Sequence, residues 1–187
     1  MRSLFARDPL ADPEPLIRRV YAYAAYRLGE GPDAEDVTSE VFERALRYRD
    51  SYDRSKGEPV AWLLGIAHRC ASAALAARAE RRTEVDDAAE GVSSPGFEDE
   101  SVRRLTMAAA VAQLGDRDQE LIALRFGADL TAAQIAQIVG AKTNTVEVAL
   151  HRALDRLRSI LEDESASRSS ARPMLGPNAG VGSPERA

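Results

Sequence analysis

Thr131-Ala132-Ala133-Gln134-Ile135-Ala136-Gln137-Ile138-Val139-Gly140-Ala141-Lys142-Thr143-Asn144-Thr145-Val146-Glu147-Val148-Ala149-Leu150-His151-Arg152-Ala153-Leu154-Asp155-Arg156-Leu157-Arg158 carries the most specific local pattern in the chain. Thr131 with Gln134 three residues later is a capping-box start. Ile135, Ile138 and Val139 then share one helical face. Gly140 stands where that short helix must stop, because a left-handed residue there costs glycine least. Val146, Leu150, Ala153, Leu154 and Leu157 form a second apolar stripe at helical spacing. Two helices joined by a short turn make a helix-turn-helix, whose second helix presents its N-terminal part to the major groove. That part carries Lys142, Thr143, Asn144, Thr145 and Glu147, all able to hydrogen-bond. His151, Arg152, Arg156 and Arg158 follow and suit phosphates. A plain helical hairpin with solvated polar residues would show the same spacing, so the rest of the chain has to discriminate.

Composition narrows the classes. The chain has 187 residues, enough for one ordinary domain or two small ones. Its formal net charge of -5 excludes a generally basic protein, so any nucleic-acid contact rests on local patches. Cys70 is the single cysteine, which rules out an internal disulfide, and its place in an apolar helical pattern predicts a buried small hydrophobe. No signal-peptide pattern opens the chain, and no apolar stretch approaches a membrane span, so a cytoplasmic protein without membrane insertion is expected. His68 and His151 are far apart in sequence, so no metal site is expected and His68 reads as a surface histidine. There is no Gly-rich phosphate loop and no nucleophile-base arrangement. An enzyme is not expected, nor any cofactor.

Working outward, residues 1–13 read as a loose lead-in. Leu16, Ile17, Val20, Tyr21, Ala24 and Leu28 predict a first helix, ended at Gly29. Asp33 is expected to cap a second helix running to about Arg49, with Val37, Val41, Ala45, Phe42 and Leu46 on its apolar side. Asp36, Glu40 and Glu43 form an acidic patch on that helix; spacing alone favours a merely solvated face. From Arg47 to Glu58 a loop interleaves bases with Tyr48 and Tyr52, a mix suited to stacking on bases and meeting phosphates. Pro59 opens a third helix, on which Trp62, Leu63, Ile66, Ala67 and Cys70 line one face and Trp62 reads as core. His68, Arg69, Arg78, Arg81 and Arg82 place basic charge elsewhere on that helix and toward its end. Glu84–Glu100 is acidic and lacks bases, which predicts a flexible, self-repelling linker. Leu105, Ala109, Ala112 and Leu114 predict a further helix from near Val102. Asp116 with Gln119 reads as another capping-box start, followed by Leu121, Ile122, Leu124 and Phe126. The Ser-, Pro- and Gly-rich residues beyond Glu164 read as a disordered tail.

The expected fold class is therefore all-α. Two small helical domains occupy residues 14–82 and 102–163, joined by an acidic linker over 83–101, with the tail at 164–187.

Four blocks in this order carry a resemblance: Ala34-Glu35-Asp36-Val37-Thr38-Ser39-Glu40-Val41-Phe42-Glu43-Arg44-Ala45, Ala61-Trp62-Leu63-Leu64-Gly65-Ile66-Ala67-His68-Arg69, Leu114-Gly115-Asp116-Arg117-Asp118-Gln119-Glu120-Leu121-Ile122-Ala123-Leu124-Arg125-Phe126, and the helix-turn-helix through Leu157. Together they resemble an extracytoplasmic-function (ECF) sigma factor of the bacterial sigma-70 family. The resemblance implies a region-two-like first domain, in which Asp36, Glu40, Phe42 and Glu43 dock on the β′ clamp of core RNA polymerase. It implies minus-10 contacts from Arg49, Tyr52, Arg54, Lys56, Trp62, His68 and Arg69. It implies a region-four-like second domain that contacts the β flap and reads the minus-35 element with Lys142, Thr143, Asn144, Thr145, Glu147, Val148, His151 and Arg152. Core polymerase and promoter DNA are then the partners, with an anti-sigma factor as a further one, and the mechanism is promoter selection and strand opening. The chain departs from the family pattern at Glu147, where a basic residue is common, and at Cys70-Ala71-Ser72-Ala73-Ala74, where a polar pair is common. Two other readings share the helical pattern: a stand-alone dimeric helix-turn-helix regulator, and a helical adaptor that binds no DNA.

Overall fold

The computed structural model describes residues 8–84 and 99–170, and among them it contains helices and no strand. The helices are α1 (Pro13–Leu28), α2 (Pro32–Arg47), α3 (Pro59–Glu84), α4 (Asp99–Ala112), α5 (Asp116–Ile122), α6 (Ala132–Val139) and α7 (Thr143–Ser170). Proline opens α1, α2 and α3, where its missing N–H has no intrahelical partner to lose. Asp33 is not the cap of α2: Gly31 holds that position, and Asp33 lies in the first turn, where the helix dipole still favours its charge. Likewise Gly115, not Asp116, caps α5, and no capping box forms there. The Gln119 side chain instead donates to the Leu114 and Ala112 carbonyls, at 2.7 and 3.2 Å. The box at Thr131 does form. The Gln134 amide donates to Thr131 Oγ1, and the Thr131 amide donates to Gln134 Oε1.

Helix boundaries differ from the expected ones by a few residues. α2 ends at Arg47, α4 begins already at Asp99, and α7 continues to Ser170. Most of the acidic stretch expected as a linker, and residues 1–7 and 171–187, lie outside the described residues.

Most of the expected apolar stripes are buried, among them Val37, Val41 and Ala45 of α2 and Leu63, Ile66 and Ala67 of α3, but individual positions turn outward. Leu46, Leu105, Phe126 and Ile17 are exposed, although their spacing predicts burial. On α4 Ala110 and Val111 are buried, as is Leu114 in the turn that follows, while Ala109 and Ala112 face out. On α1 the buried face comprises Val20, Tyr23, Ala24, Arg27 and Leu28. The cause is the partner each helix meets. The core formed by α1, α2 and α3 is continuous with buried residues from α5, α6 and the start of α7. A smaller cluster joins α4, the end of α5 and the body of α7. The two halves are thus packed on one another, and α1 must offer apolar surface to both.

Within Pro59–Arg81 of α3 an 18-residue window reaches a mean hydropathy of 1.4, so by length and composition alone the segment passes as long enough to cross a bilayer, contrary to the sequence expectation, as a buried core helix also does. In the fold, Leu63, Leu64, Ile66, Ala67, Cys70 and Ala71 from this segment are core residues. Burial of this kind contributes roughly 1.5–3 kcal/mol per large aliphatic side chain.

After α5 the chain makes a π-helical turn over Ala123–Gly127, closed by the Ala128 amide on the Ala123 carbonyl at 2.9 Å. The turn lays Gly127 against α1. A Cβ at Gly127 would stand 2.9 Å from the Tyr26 ring and 3.1 Å from the Ala22 carbonyl oxygen, so only glycine admits this approach.

Candidate nucleic-acid interface

The helix-turn-helix is built by local chemistry. Gly140 takes the left-handed conformation, φ 66° and ψ 36°, and reverses the chain between α6 and α7. Ile135 and Ala136 anchor α6 in the core, and Val146, Leu150, Ala153 and Leu157 anchor α7. With that face fixed inward, Lys142, Thr143, Asn144, Thr145, Glu147, Val148, His151 and Arg152 are all exposed on one run of α7. Farther along, Arg156 is paired with Asp118 of α5, and Arg158 and His151 lie 3.6 and 3.7 Å from Asp155. The charge offered to a phosphate is therefore concentrated at the start of α7.

The loop after α2 is ordered by its own side chains. Arg49–Ser51 and Arg54–Lys56 are short 3-10 turns. Asp53 accepts the Ser55 amide at 3.0 Å and the Ser55 hydroxyl at 2.7 Å, and those bonds hold its carboxyl below the usual range. The Tyr52 hydroxyl donates to the Gly57 carbonyl at 3.0 Å. Its ring packs on Trp62 with centroids 5.6 Å apart and planes tilted by 57°. Trp62 is half-buried rather than core, and forms a wall under the loop. Arg54 and Lys56 are exposed, as are Arg49 and Arg69. A cavity is lined by Tyr52, Lys56, Trp62, His68 and Arg69, so the structure gathers most of the expected minus-10 residues around one hollow.

His68 departs from the sequence reading. It is not a plain surface histidine: Nδ1 lies 2.9 Å from Glu120 Oε1, and the side chain is 31% exposed. On α2, Asp36 and Glu43 are exposed, Glu40 is paired with Arg44, and Phe42 is half-buried against the core. The acidic patch is present, with one of its charges partly offset. Cys70 is buried, and burial raises its thiol pKa, as expected of a packed hydrophobe.

Sequence reading missed one cluster altogether. Glu120 is 7% exposed and is met by three side chains from the other half of the molecule. The Tyr23 hydroxyl donates to it at 2.9 and 3.1 Å, Arg27 Nε lies 2.8 Å from Oε2, and His68 completes the set. The Arg27 contact is an ion pair off the N–H direction, without a directed hydrogen bond from Nε. Arg27 Nη1 reaches the Gln119 side chain at 3.3 Å and the Asp116 carbonyl at 3.4 Å. Burial, then the Glu120 carboxylate, pushes the Tyr23 hydroxyl well above its ordinary pKa. The only hint in the sequence is Tyr23 and Arg27 four residues apart on α1, which by itself is unremarkable. Among the described residues no group of His, Cys, Asp and Glu could hold a metal ion.

Known proteins share this arrangement. The Sigma-70 region 2 family matches residues 14–82, and the Sigma-70, region 4 family matches residues 110–159. The ECF RNA polymerase sigma factor SigD of Mycobacterium tuberculosis is 33% identical over 164 residues, which cover 81% of this chain and 74% of SigD. The ECF RNA polymerase sigma factor BldN of Streptomyces coelicolor is 35% identical over 153 residues, covering 78% of this chain and 57% of BldN. The chain thus spans little more than half of BldN. Among solved structures, the sigma factor RpoE of Bartonella quintana, in complex with the anti-sigma factor NepR, matches with a TM-score of 0.63 at 20% identity, over 79% of this chain and 92% of that one. CnrH, in complex with the cytosolic domain of CnrY, has a TM-score of 0.53. The exposed polar face at the start of α7, the ordered basic-aromatic loop and these matches agree, and the chain belongs to the ECF RNA polymerase sigma factors of the sigma-70 family.

Proposed function

We propose that this chain docks on core RNA polymerase, selects promoters through their minus-35 and minus-10 elements, and promotes strand opening without covalent chemistry of its own. The observation that carries this is the start of α7, where Lys142 to Arg152 stand exposed above a buried Val146–Leu150 anchor. Asn144 and Thr145 suit base edges, and Glu147 suits a cytosine amino group. Lys142, His151 and Arg152 meet phosphates. Lys56 and Arg69, which line the hollow with Tyr52 and Trp62, receive the minus-10 strand together with the exposed Arg49 and Arg54 of the same loop, with an unstacked base held in the hollow. Capturing such a base offsets a melting cost on the order of a few kcal/mol. Asp36, Glu40, Phe42 and Glu43 dock on the β′ clamp, and the second half contacts the β flap. An anti-sigma factor is a further partner, on the support that the RpoE relative is bound to one. The net charge of -5 fits a protein that relies on polymerase for much of its hold on phosphate. The reading places the protein in the cytoplasm.

The test is in vitro transcription from a genomic promoter library with purified protein and core polymerase from the source bacterium. Defined transcripts that require both are expected. DNA binding by the protein alone at a two-fold symmetric site, without transcripts, would favour a dimeric regulator instead.

A further inference from the structure

The exposed side of α7 is not uniformly polar. Val148 is 44% exposed and stands among Asn144, Thr145, Glu147, His151 and Arg152. Helix geometry fixes where it points. At about 100° per residue, Val146, Leu150, Ala153 and Leu157 gather on the buried side, and Val148 lies roughly opposite their centre. Asn144, one turn before Val148, and Asp155, two turns after it, share that outermost line. These three side chains are the ones a groove floor meets first.

The line divides by chemistry. Asp155 lies 3.7 Å from His151 and 3.6 Å from Arg158, and its carboxylate disfavours close approach of DNA at its end of the line. Contact with base edges is thereby confined to the first turns of α7, where Asn144 and Val148 stand. Glu147 and Arg152 lie on opposite flanks of the line, so the Arg152 flank is the one that sits against a phosphate. Among the base edges of the major groove, the C5 methyl of thymine is the apolar feature, and an aliphatic side chain can meet it. The Asn144 amide both donates and accepts, which matches N7 and the N6 amino group of adenine.

We propose that Val148 is a specificity-determining residue that packs on a thymine methyl of the minus-35 element, while Asn144 takes an adenine on a nearby base pair. One helical turn advances about 5.4 Å, against about 3.4 Å per base pair, so the two bases lie one or two pairs apart. This assignment rests on α7 being the minus-35 helix. Selection at these positions then comes from an apolar contact and one bidentate amide, with no basic side chain on the line.

The test uses the full chain with core polymerase, on a promoter that the pair transcribes. Single base analogues are placed through the minus-35 element. Uracil in place of thymine removes only the methyl, and 7-deazaadenine in place of adenine removes only the N7 acceptor. At one thymine, uracil should lower initiation by wild type about fourfold. At an adenine one or two pairs away, 7-deazaadenine should lower it about fivefold. Val148→Ala should abolish the uracil effect and keep the 7-deazaadenine effect, and Asn144→Ala should do the reverse. Both side chains are exposed, so both variants should melt at the wild-type temperature. A minus-35 element without thymine, uracil without effect at every thymine, or a uracil effect undiminished in Val148→Ala would each overturn the proposal. Whole base-pair changes across the element that leave initiation unchanged would instead overturn the placement of α7 in the major groove.

Discussion

The Tyr52 ring rests on Trp62 while its hydroxyl donates to the Gly57 carbonyl at 3.0 Å, so one side chain ties the middle of the loop to its C-terminal end and to α3. The loop is shaped by a ring that is itself half-exposed, and this sets what removing the ring does. Trp62→Ala should cost about 1–3 kcal/mol, below the range for a fully buried tryptophan. Hydrogen exchange at residues 52–57 should speed up more than exchange elsewhere. Uniform loss of protection through α3 would show that Trp62 is core after all.

Asp36→Arg combined with Glu40→Arg reverses the exposed acidic patch on α2. Neither side chain is buried, and the Glu40–Arg44 pair is worth about 0.3–0.5 kcal/mol, so stability should change by less than about 1 kcal/mol. Capture on immobilised core polymerase should be lost. Undiminished capture would reduce the patch to a solvated face.

Glu120→Ala should be far more damaging than Glu120→Gln. It leaves the Arg27 charge buried without its carboxylate, at a cost of about 3–5 kcal/mol. The glutamine keeps an acceptor for Tyr23 and should cost less. Equal melting temperatures for the two variants would mean that the carboxylate contributes only its shape.

Tyr23 links the same cluster to pH. Its folded-state pKa lies above the free value, so folding favours the protonated hydroxyl. That contribution is fully present below the free tyrosine value of about 10 and is lost as pH rises above it. Wild type should therefore lose stability faster than Tyr23→Phe above about pH 10. At neutral pH the phenylalanine variant should be about 1 kcal/mol less stable, for want of the hydrogen bond to Glu120. Parallel stability curves across the alkaline range would refute the assignment.

Gly140→Ala places a Cβ on a left-handed residue and should cost about 1 kcal/mol, with nothing nearby for the methyl to strike. Because Gly140 sets the turn into α7, binding to a minus-35 duplex should fall more than stability predicts. Loss in proportion to unfolding alone would show that the turn angle does not matter to recognition.

The helix-turn-helix was readable from the chain because its determinants are local: a Thr131–Gln134 capping box, a left-handed Gly140 and apolar residues at helical spacing. The same holds for the proline start of α3 and for Cys70 in the core, whereas the cap of α2 fell on Gly31 rather than on the expected Asp33. The α1 face, by contrast, could be read only in part: Val20, Ala24 and Leu28 are buried as their spacing predicts, but the rest of the face is not. Spacing favours Leu16, Ile17 and Tyr21, yet the buried set includes Tyr23 and Arg27, because α5 and the π-helical turn dock there. Trp62 reads as core from its type alone but is left half-exposed by the loop that covers it. His68 and Glu120 are 52 residues apart in sequence, and neither predicts the other.

The chain alone thus specified the helices, the turn of the helix-turn-helix and the polar residues exposed on it, since each follows from backbone preference and from periodicity within a few turns. Tertiary structure alone decided that the two halves share a core, that Glu120 is buried among Tyr23, Arg27 and His68, and that α6 lies over the Trp62 hollow. A carboxylate becomes worth burying only when several donors from distant elements converge on it, and that convergence is a property of packing, invisible in any short stretch of chain.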